Sequence, residues 1–313
     1  MRLAKNAKYW KSEPRPQGRV GTLTHLGLPG TPLEVRGLGG RVHPGRDSAP
    51  AMSHFARPGE GGPPGDPDPP AHVPRHIGII MDGNGRWARA KGHPVSFGHR
   101  AGVRAIKRAL EGCERLGVEI LSVYAFSTEN WARPRAEVRA LMRLFHETMQ
   151  REIDEMHRRG VRIVVSGRRD ELSQRMRERI DEAIARTSRN KNGVLNVCLN
   201  YGGRAEIVDA VRRIAAEGLR PDQVDEVAIA ARLYNPDLPD PDLIIRTAGE
   251  HRVSNFLLWQ SAYSEMLVTE RLWPDFDVED LKAAIAEYAS RIRRFGGRPD
   301  TEANLKAAGG ARS

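Results

Sequence analysis

Short apolar runs alternate with amphipathic stretches along most of the chain. The apolar runs have the length and composition of β-strands and lie at 76–81, 118–126, 161–166, 194–200, 242–246 and 265–269. The amphipathic stretches have helical spacing and lie at 99–116, 134–156, 171–187, 204–217, 224–234 and 278–294. This alternation is typical of an α/β fold, a single domain with a mainly parallel central sheet flanked by helices.

The first 71 residues lack this periodicity. They contain 12 of the 21 prolines and 12 of the 31 glycines, a composition that cannot build a packed element. We therefore predict a disordered Pro/Gly-rich tail at 1–71, one folded domain at 72–297 and a flexible C-terminal tail at 298–313. Met52 is an alternative translation start, so either methionine can begin the chain.

Charge and cysteine usage narrow the class of protein. The net charge of +10 suits anionic partners: nucleic acid, anionic lipid headgroups or phosphorylated substrates. Two cysteines, Cys113 and Cys198, form neither a disulfide framework nor a metal cluster. No apolar run reaches the length of a membrane span, and the N-terminus lacks a signal-peptide core. We expect a cytoplasmic protein, with contact at the inner membrane face left open.

The segment that ends the first predicted strand carries the first candidate chemistry. Asp82 follows the apolar run, and a turn with two glycines leads to Arg86. Glycines let backbone N–H groups approach an anion, and an arginine binds phosphate through two hydrogen bonds. A carboxylate there would repel phosphate unless a cation lay between them. The segment therefore predicts a metal–diphosphate site, against the simpler interpretation of a tight turn with a surface arginine.

Polar residues follow the other predicted strands as well. Ser127, Glu129 and Asn130 follow the second strand, and Arg246 and Arg252 follow the fifth. Parallel strands end at one sheet edge, so these side chains should converge there. The P-loop, the dinucleotide fingerprint, adjacent aspartates and a serine nucleophile elbow are all absent from the sequence.

Several long motifs in fixed order resemble one known family. They occupy 76–88, 124–131, 200–204, 245–250, 259–265 and 293–297. Together they make residues 76–297 similar to the cis-prenyltransferases, and most similar to bacterial undecaprenyl diphosphate synthases. That family condenses isopentenyl diphosphate with an allylic diphosphate, typically farnesyl diphosphate, in the presence of Mg²⁺, and each condensation adds a cis double bond.

The resemblance assigns roles to individual positions. It makes Asp82 the essential carboxylate and, with Glu265, a Mg²⁺ contact; Asn130 positions a proton relay. It assigns substrate contacts to Gly83, Asn84, Gly85, Arg86, Trp87, His99, Ser127, Thr128, Glu129, Trp131, Arg133, Arg246, Arg252, Val253 and Ser254. For Trp87 and Trp131, ordinary core packing is an equal alternative.

The resemblance also bears on product and assembly. The small Ala125 leaves room for a growing chain beside Leu141, Met142 and Phe145, so we expect a long-chain cis-polyprenyl diphosphate, the precursor of a lipid carrier for cell-wall glycans. Val95 stands where the family usually has an arginine, and it also occurs in some short-chain relatives. A homodimer is expected, formed by the last strand and the helices that flank it. Its candidate contacts are Leu257, Leu258, Trp259 and Met266.

Three alternatives remain at this point: a short-chain synthase of the same fold, an inactive scaffold subunit, and a basic nucleic-acid-binding module. The third would need a continuous basic stripe with interleaved aromatics. Instead the arginines gather at strand ends, so we expect no nucleic acid partner. The intact Asp82, Asn130 and Glu265 argue against an inactive scaffold.

Overall fold

The structure, a computed structural model, describes residues 72–291. The predicted tails, Met52, the motif at 293–297 and the end of the last predicted helix lie outside the described residues.

Six strands and seven α-helices make up the described part of the chain. The strands are β1 His76–Ile80, β2 Ile120–Ser127, β3 Val161–Ser166, β4 Gly193–Tyr201, β5 Leu243–Thr247 and β6 Glu265–Thr269. The helices are α1 Asn84–Ala90, α2 Val95–Leu116, α3 Arg135–Arg158, α4 Gln174–Thr187, α5 Gly203–Ala216, α6 Glu226–Ala230 and α7 Val278–Ser290. Short 3₁₀ helices occupy Thr128–Ala132, Pro221–Gln223 and Trp273–Asp275.

The strands form one parallel sheet in the order β3-β4-β2-β1-β5-β6. This confirms the predicted α/β class. From β1 the chain continues to β2 on one side, whereas from β5 it continues to β6 on the other. The crevice beyond the carboxyl ends of β1 and β5 is therefore the topological switch point, where such sheets bind ligands.

Apolar side chains cover both faces of the sheet. A large core joins one face to α2, α3, α4 and α7, and it includes Ile77, Ile79 and Leu243. A smaller core on the other side holds Ile80, Tyr201 and Phe256. Because both faces are covered, the central strands are continuous apolar runs, as the sequence pattern indicated.

Helix boundaries differ most from the predictions at α1, α2 and α6, and α4 begins at Gln174 instead of 171, after the capping side chain of Ser173. The predicted glycine turn after β1 continues directly into α1. Helix α2 begins at Val95, after Pro94, four positions before the predicted start at 99; Pro94 cannot supply an N–H, which suits it to a helix start. The predicted helix at 224–234 is only Glu226–Ala230, capped by the side chain of Asp225.

Candidate active site

A cleft of about 570 Å³ opens at the carboxyl edge of the sheet. Its walls carry eight of the predicted site residues: Asp82, Ser127, Glu129, Asn130, Arg133, Arg246, Arg252 and Ser254. The other lining residues are Ile80, Met81, Tyr124 and Asn255. Two carboxylates face three guanidinium groups, so the cleft favours an anionic ligand.

Asp82 and Arg246 form the centre of the cleft. Arg246 is 3% exposed, and its Nη2 donates to Asp82 Oδ2 at 3.0 Å. Its Nη1 donates to Ser254 Oγ at 2.6 Å and also to the backbone oxygen of Arg252. Arg86 Nη2 lies 3.9 Å from Asp82 Oδ1. The Asp82 carboxylate thus compensates a buried cation while 35% of its side chain stays exposed.

The backbone turns sharply at Gly83, directly after Asp82. Gly83 has φ +103°, and a Cβ there would lie 2.9 Å from Leu272 Cδ2, so both conformation and space require glycine. Its N–H donates to Asp82 Oδ1 at 2.7 Å. Gly85 and Arg86 follow in the first turn of α1, with Arg86 exposed. The Asn84 side chain lies against Gly102 of α2, away from the cleft.

The segment after β2 forms the opposite wall. Asn130 Oδ1 accepts the Ser127 N–H at 3.1 Å, which caps the 3₁₀ helix Thr128–Ala132. Glu129 Oε1 accepts from Asn255 Nδ2 at 2.9 Å. Burial alone would raise the pKa of Glu129, but the hydrogen bond from Asn255, with others from Ser127 and Thr128, lowers it below its ordinary value. Glu129 is therefore ionised at neutral pH.

The connection from β5 to β6 supplies the third wall. It runs over positions 248–264 without a helix or strand, and long loops of this kind usually serve a function. Ser254, Asn255 and Leu257 have φ of +47°, +65° and +44°, the left-handed region that non-glycine residues rarely adopt. Arg252 and Val253 are exposed on this loop.

The structure places several predicted residues away from the cleft. Trp87 is buried between α1 and α2, where it stacks on Phe97 and donates to Asp275 Oδ1 at 2.6 Å. Thr128 lies beside Gly202. Trp131 donates to Asn200 Oδ1 at 2.7 Å. Core packing is therefore correct for Trp87, whereas the Trp131 side chain is 43% exposed and does not belong to the core.

His99 faces a separate groove of about 500 Å³ between α2 and α3, which Val95 also lines. Its Nε2 is 3.6 Å from Glu137 Oε1, and Glu137 also accepts from Arg133 at 3.0 Å. Burial, together with the positive charge of Arg133, lowers the pKa of His99, so the ring is neutral at pH 7. Glu137 therefore connects this groove to the Arg133 wall of the cleft.

Glu265 lies at the amino ends of the parallel strands, whereas Asp82 lies at their carboxyl ends. It is level with Leu243 at the start of β5, whereas Ile80, two residues before Asp82, is level with Arg246. Five residues of strand separate the two carboxylates, roughly 16 Å. Glu265 Oε2 accepts from Arg291 Nη1 at 2.9 Å. The structure therefore does not bring the two predicted Mg²⁺ contacts together within one chain.

The cleft fits a metal held partly by its ligand. Within residues 72–291, no group of three or more His, Cys, Asp or Glu side chains could hold an ion. Mg²⁺ commonly keeps several waters and binds one or two carboxylates together with substrate phosphates. Asp82, partly exposed and next to arginines, suits that arrangement.

An apolar cavity of about 110 Å³ lies between the sheet, α2 and α3. Ala125, Phe145 and Met149 line it, as predicted for Ala125 and Phe145. Leu141 instead lines the groove that contains His99, and Met142 lines neither space. Ala125 directly follows Tyr124 of the polar cleft, so β2 connects the two spaces.

Two polar side chains of the cleft, Tyr124 and Asn255, were not among the predicted site residues. Tyr124 OH donates to the backbone oxygens of Tyr201 and Ser254, each at 3.3 Å. Asn255 bonds both Glu129 and the start of α5. The sequence signal that could have identified Asn255 is an asparagine, which tolerates the left-handed region, inside a polar loop that follows a strand.

Comparison with known proteins points to one family. The family described as "Putative undecaprenyl diphosphate synthase" matches residues 80–296. An "Isoprenyl transferase" of Heliobacterium mobile is 54% identical over 232 residues, which are 73% of this chain and 89% of that protein. A "Ditrans,polycis-undecaprenyl-diphosphate synthase ((2E,6E)-farnesyl-diphosphate specific)" of Xanthomonas axonopodis pv. citri is 49% identical over 72% of this chain and 90% of its own length.

A solved structure is similar as well. The lavandulyl diphosphate synthase of Lavandula x intermedia, in complex with dimethylallyl diphosphate, has a TM-score of 0.69 and 35% identity. The match covers 72% of this chain and 98% of that one. Among the described helices, none is both long and apolar enough to cross a membrane.

Proposed function

The chain belongs to the undecaprenyl diphosphate synthase family and is an isoprenyl transferase, and we propose that it condenses isopentenyl diphosphate with an allylic diphosphate, farnesyl diphosphate in the first cycle. The observation that carries this proposal is the shared position of Asp82, Arg246 and Arg86 at the switch point of the sheet. Fixed cations around one partly exposed carboxylate suit a metal–diphosphate ligand better than a neutral one.

The two sides of the cleft suit two diphosphate groups. We assign the allylic diphosphate to the turn at Gly83 and the start of α1, with Arg86 as its cation. We assign the isopentenyl diphosphate to Arg246, Arg252 and Ser254, which the β5–β6 connection holds together. Asn84 and Trp87 would then act by supporting the first of these sites, because their side chains pack α1 against α2, whereas His99 lies in the separate groove between α2 and α3.

Asp82 would hold Mg²⁺ together with diphosphate oxygens. When bound, the ion stabilises the negative charge of the departing diphosphate. Arg86 and the Gly83 turn orient the same group, so C1 of the allylic substrate is exposed to attack by the double bond of isopentenyl diphosphate. The new C–C bond forms as the C–O bond to diphosphate breaks, and a proton is then lost to give the new double bond.

Asn130 would position the route of that proton. Its Oδ1 is engaged by the Ser127 N–H, so Nδ2 is the end available to a ligand. A neutral amide is a poor base and Nδ2 can only donate, so Asn130 would position the group that accepts the proton, such as an oxygen of the leaving diphosphate.

We further propose that the product is a long-chain cis-polyprenyl diphosphate, the precursor of a lipid carrier for cell-wall glycans. Support comes from the farnesyl-specific relatives and from Ala125, whose small side chain borders the apolar cavity. A short-chain product is the second candidate. It is favoured by Val95 in the groove beside His99 and by the likeness to lavandulyl diphosphate synthase.

We propose a cytoplasmic homodimer that touches the membrane face when it releases its apolar product. Leu257 does not suit the dimer contact proposed from the sequence, because it is 3% exposed and belongs to the chain's own core. Leu258, Trp259 and Met266 are half-buried and remain candidates. Exposed valines add to them: Val208 and Val211 on α5, and Val227 on α6, which is 73% exposed.

Product analysis tests the proposal. The purified protein is incubated with radiolabelled isopentenyl diphosphate, Mg²⁺ and either geranyl or farnesyl diphosphate, and products are separated by chain length. We expect long cis-polyprenyl products from the farnesyl starter and none without a divalent cation. Salt-dependent retention on DNA without turnover of isopentenyl diphosphate would contradict it in favour of a nucleic-acid-binding module.

A further inference from the structure

We propose that Asn255 is a positioning residue, which holds the loop carrying Arg252 and Ser254 in a fixed relation to Glu129 on the opposite wall of the cleft. The inference rests on the proposed function, because it concerns the side of the cleft that we assign to isopentenyl diphosphate.

Three hydrogen bonds connect Asn255 to other strand ends. Its Nδ2 donates to Glu129 Oε1 at 2.9 Å, in the segment after β2. Its Oδ1 accepts the Arg204 N–H at 2.9 Å, and its backbone oxygen accepts the Gly203 N–H at 2.8 Å, both at the start of α5. One residue of the β5–β6 connection therefore joins the segments that follow β2 and β4.

The space around the Asn255 carboxamide is shaped for it. A Cβ at Gly202 would lie 2.7 Å from Asn255 Nδ2 and 2.7 Å from Thr128 Oγ1. Position 202 therefore accepts only glycine as long as the carboxamide keeps this place. The close fit restricts the side chain to one orientation, with its donor directed at Glu129.

The backbone of the loop needs such outside support. Ser254 and Asn255 both lie in the left-handed region, which is costly for Ser and tolerated better by Asn. Ser254 is held by Arg246 through its hydroxyl and by Tyr124 through its backbone oxygen. Asn255 adds the third attachment. The Asn255 side chain connects the loop to Glu129 on the opposite wall of the cleft, whereas Arg246 connects it to Asp82.

The expected consequence is selective. If Asn255 sets where Arg252 and Ser254 sit, losing its side chain should weaken binding of isopentenyl diphosphate and leave the allylic side, built from Gly83 and Arg86, nearly unchanged. A residue that merely stabilises the fold would lower stability and affect both substrates alike. The KM for each substrate therefore separates the two roles.

Two substitutions isolate the side chain from the backbone. Asn255→Gly keeps the left-handed conformation free of strain and removes both side-chain hydrogen bonds. Asn255→Asp keeps an acceptor for the Arg204 N–H but places a second carboxylate against Glu129. Asn190→Gly is the matched control, since Asn190 Nδ2 donates to Val161 O at 2.7 Å at the far edge of the sheet.

We expect Asn255→Gly to raise the KM for isopentenyl diphosphate about tenfold, in line with the cost of a small misplacement in an active site. Asn255→Asp should raise it further. Neither should change the KM for the allylic substrate or the melting temperature more than Asn190→Gly does. Adding Glu129→Gln to Asn255→Asp restores a donor–acceptor pair, so the double variant should have a lower KM for isopentenyl diphosphate than Asn255→Asp alone.

Three other outcomes would contradict either the proposed function or the positioning role of Asn255. Wild-type protein without isopentenyl diphosphate turnover would overturn the proposed function and this inference with it. Active wild type with an unchanged KM in Asn255→Gly would overturn the inference alone. Equal KM increases for both substrates with a lower melting temperature would also overturn it, because Asn255 would then be purely structural.

Discussion

Asp82 combines two tasks that usually belong to different residues. It compensates the buried guanidinium of Arg246 at 3.0 Å, and it offers the exposed carboxylate on which the proposed metal–diphosphate contact depends. Its replacement should therefore affect both turnover and stability, and the two effects can be measured separately.

Asp82→Ala should lower kcat at least 10³-fold, about 4 kcal/mol of barrier, because an oriented charge at the reacting diphosphate is lost. The free energy of unfolding should fall by about 1–3 kcal/mol, since Arg246 loses a charged partner. Turnover at saturating Mg²⁺ and urea unfolding measure these effects. Asp222→Ala, at a carboxylate that is 68% exposed, is the control and should change neither. Activity within tenfold of wild type would contradict the assignment of Asp82.

Residue types at the cleft were predictable because the ends of parallel strands share one edge. Contacts between residues distant in sequence could not be predicted. Trp87 bonds Asp275, 188 positions away, and Asn255 bonds Glu129, 126 positions away. Neither pair shares a periodicity or a motif, so only the folded chain shows that Trp87 packs inside and that Asn255 faces the cleft.

Among the elements, β3 and β6 have the predicted bounds, 161–166 and 265–269. Helix α1 was missed because its seven residues start at a glycine turn and contain few apolar positions. It is stabilised by tertiary packing, in which Trp87 and Ala88 contact Ala101 of α2. Packing of this kind leaves no helical period in so short a segment.

Strand β1 begins with a buried histidine. The two ring nitrogens of His76 lie 2.7 Å from Ser122 Oγ on β2 and 2.7 Å from the backbone oxygen of Pro239. Burial lowers the pKa of His76 to about 4. The neutral ring is therefore part of the sheet, and its protonation must oppose folding.

Acid should weaken the sheet through this residue. His76 takes up a proton near pH 6.5 in the unfolded chain but only near pH 4 in the folded chain. The contribution of His76 to the free energy of unfolding is therefore complete above pH 6.5 and is lost as the pH falls toward 4. The loss amounts to about 3 kcal/mol. Urea unfolding of wild type and His76→Asn at several pH values checks this. Plots of the free energy of unfolding against pH should differ in slope between the two proteins only below about pH 6.5. Parallel plots would contradict this prediction.

The wall formed by β2 and α3 sets the proposed chain length. Ala125→Leu inserts a branched side chain into the cavity lined by Phe145 and Met149. We expect shorter products with the first condensation retained, because the cleft itself is unchanged. Chromatography of the dephosphorylated products measures this, with Ala185→Leu on the exposed side of α4 as the size-matched control. Unchanged product length in Ala125→Leu would contradict the assignment of the cavity to the growing chain.

For the whole molecule, we expect a dimer in solution. Val227→Asp places a charge on a side chain that is 73% exposed, so the fold should tolerate it while an apolar interface should not. Light scattering at micromolar concentration should give twice the chain mass for wild type and a shift toward one chain mass for Val227→Asp. Val227→Thr keeps the shape and is the control. A wild-type mass of one chain would contradict the dimer.

The apolar cavity is small for its proposed contents. Its volume of about 110 Å³ corresponds to about four water molecules at roughly 30 Å³ each, which is less than a farnesyl chain occupies. On the proposed function, the growing chain would have to displace the walls of this cavity, and each added unit would work against the packing of α3 on the sheet. Met149 and Met156 suit a yielding wall, since methionine side chains adapt their shape, while Lys107 and Glu152, 2.5 Å apart, tie α2 to α3 across it. Under that proposal, product length would be set by the compliance of this wall, at the point where stretching it further costs as much free energy as burying another unit gains.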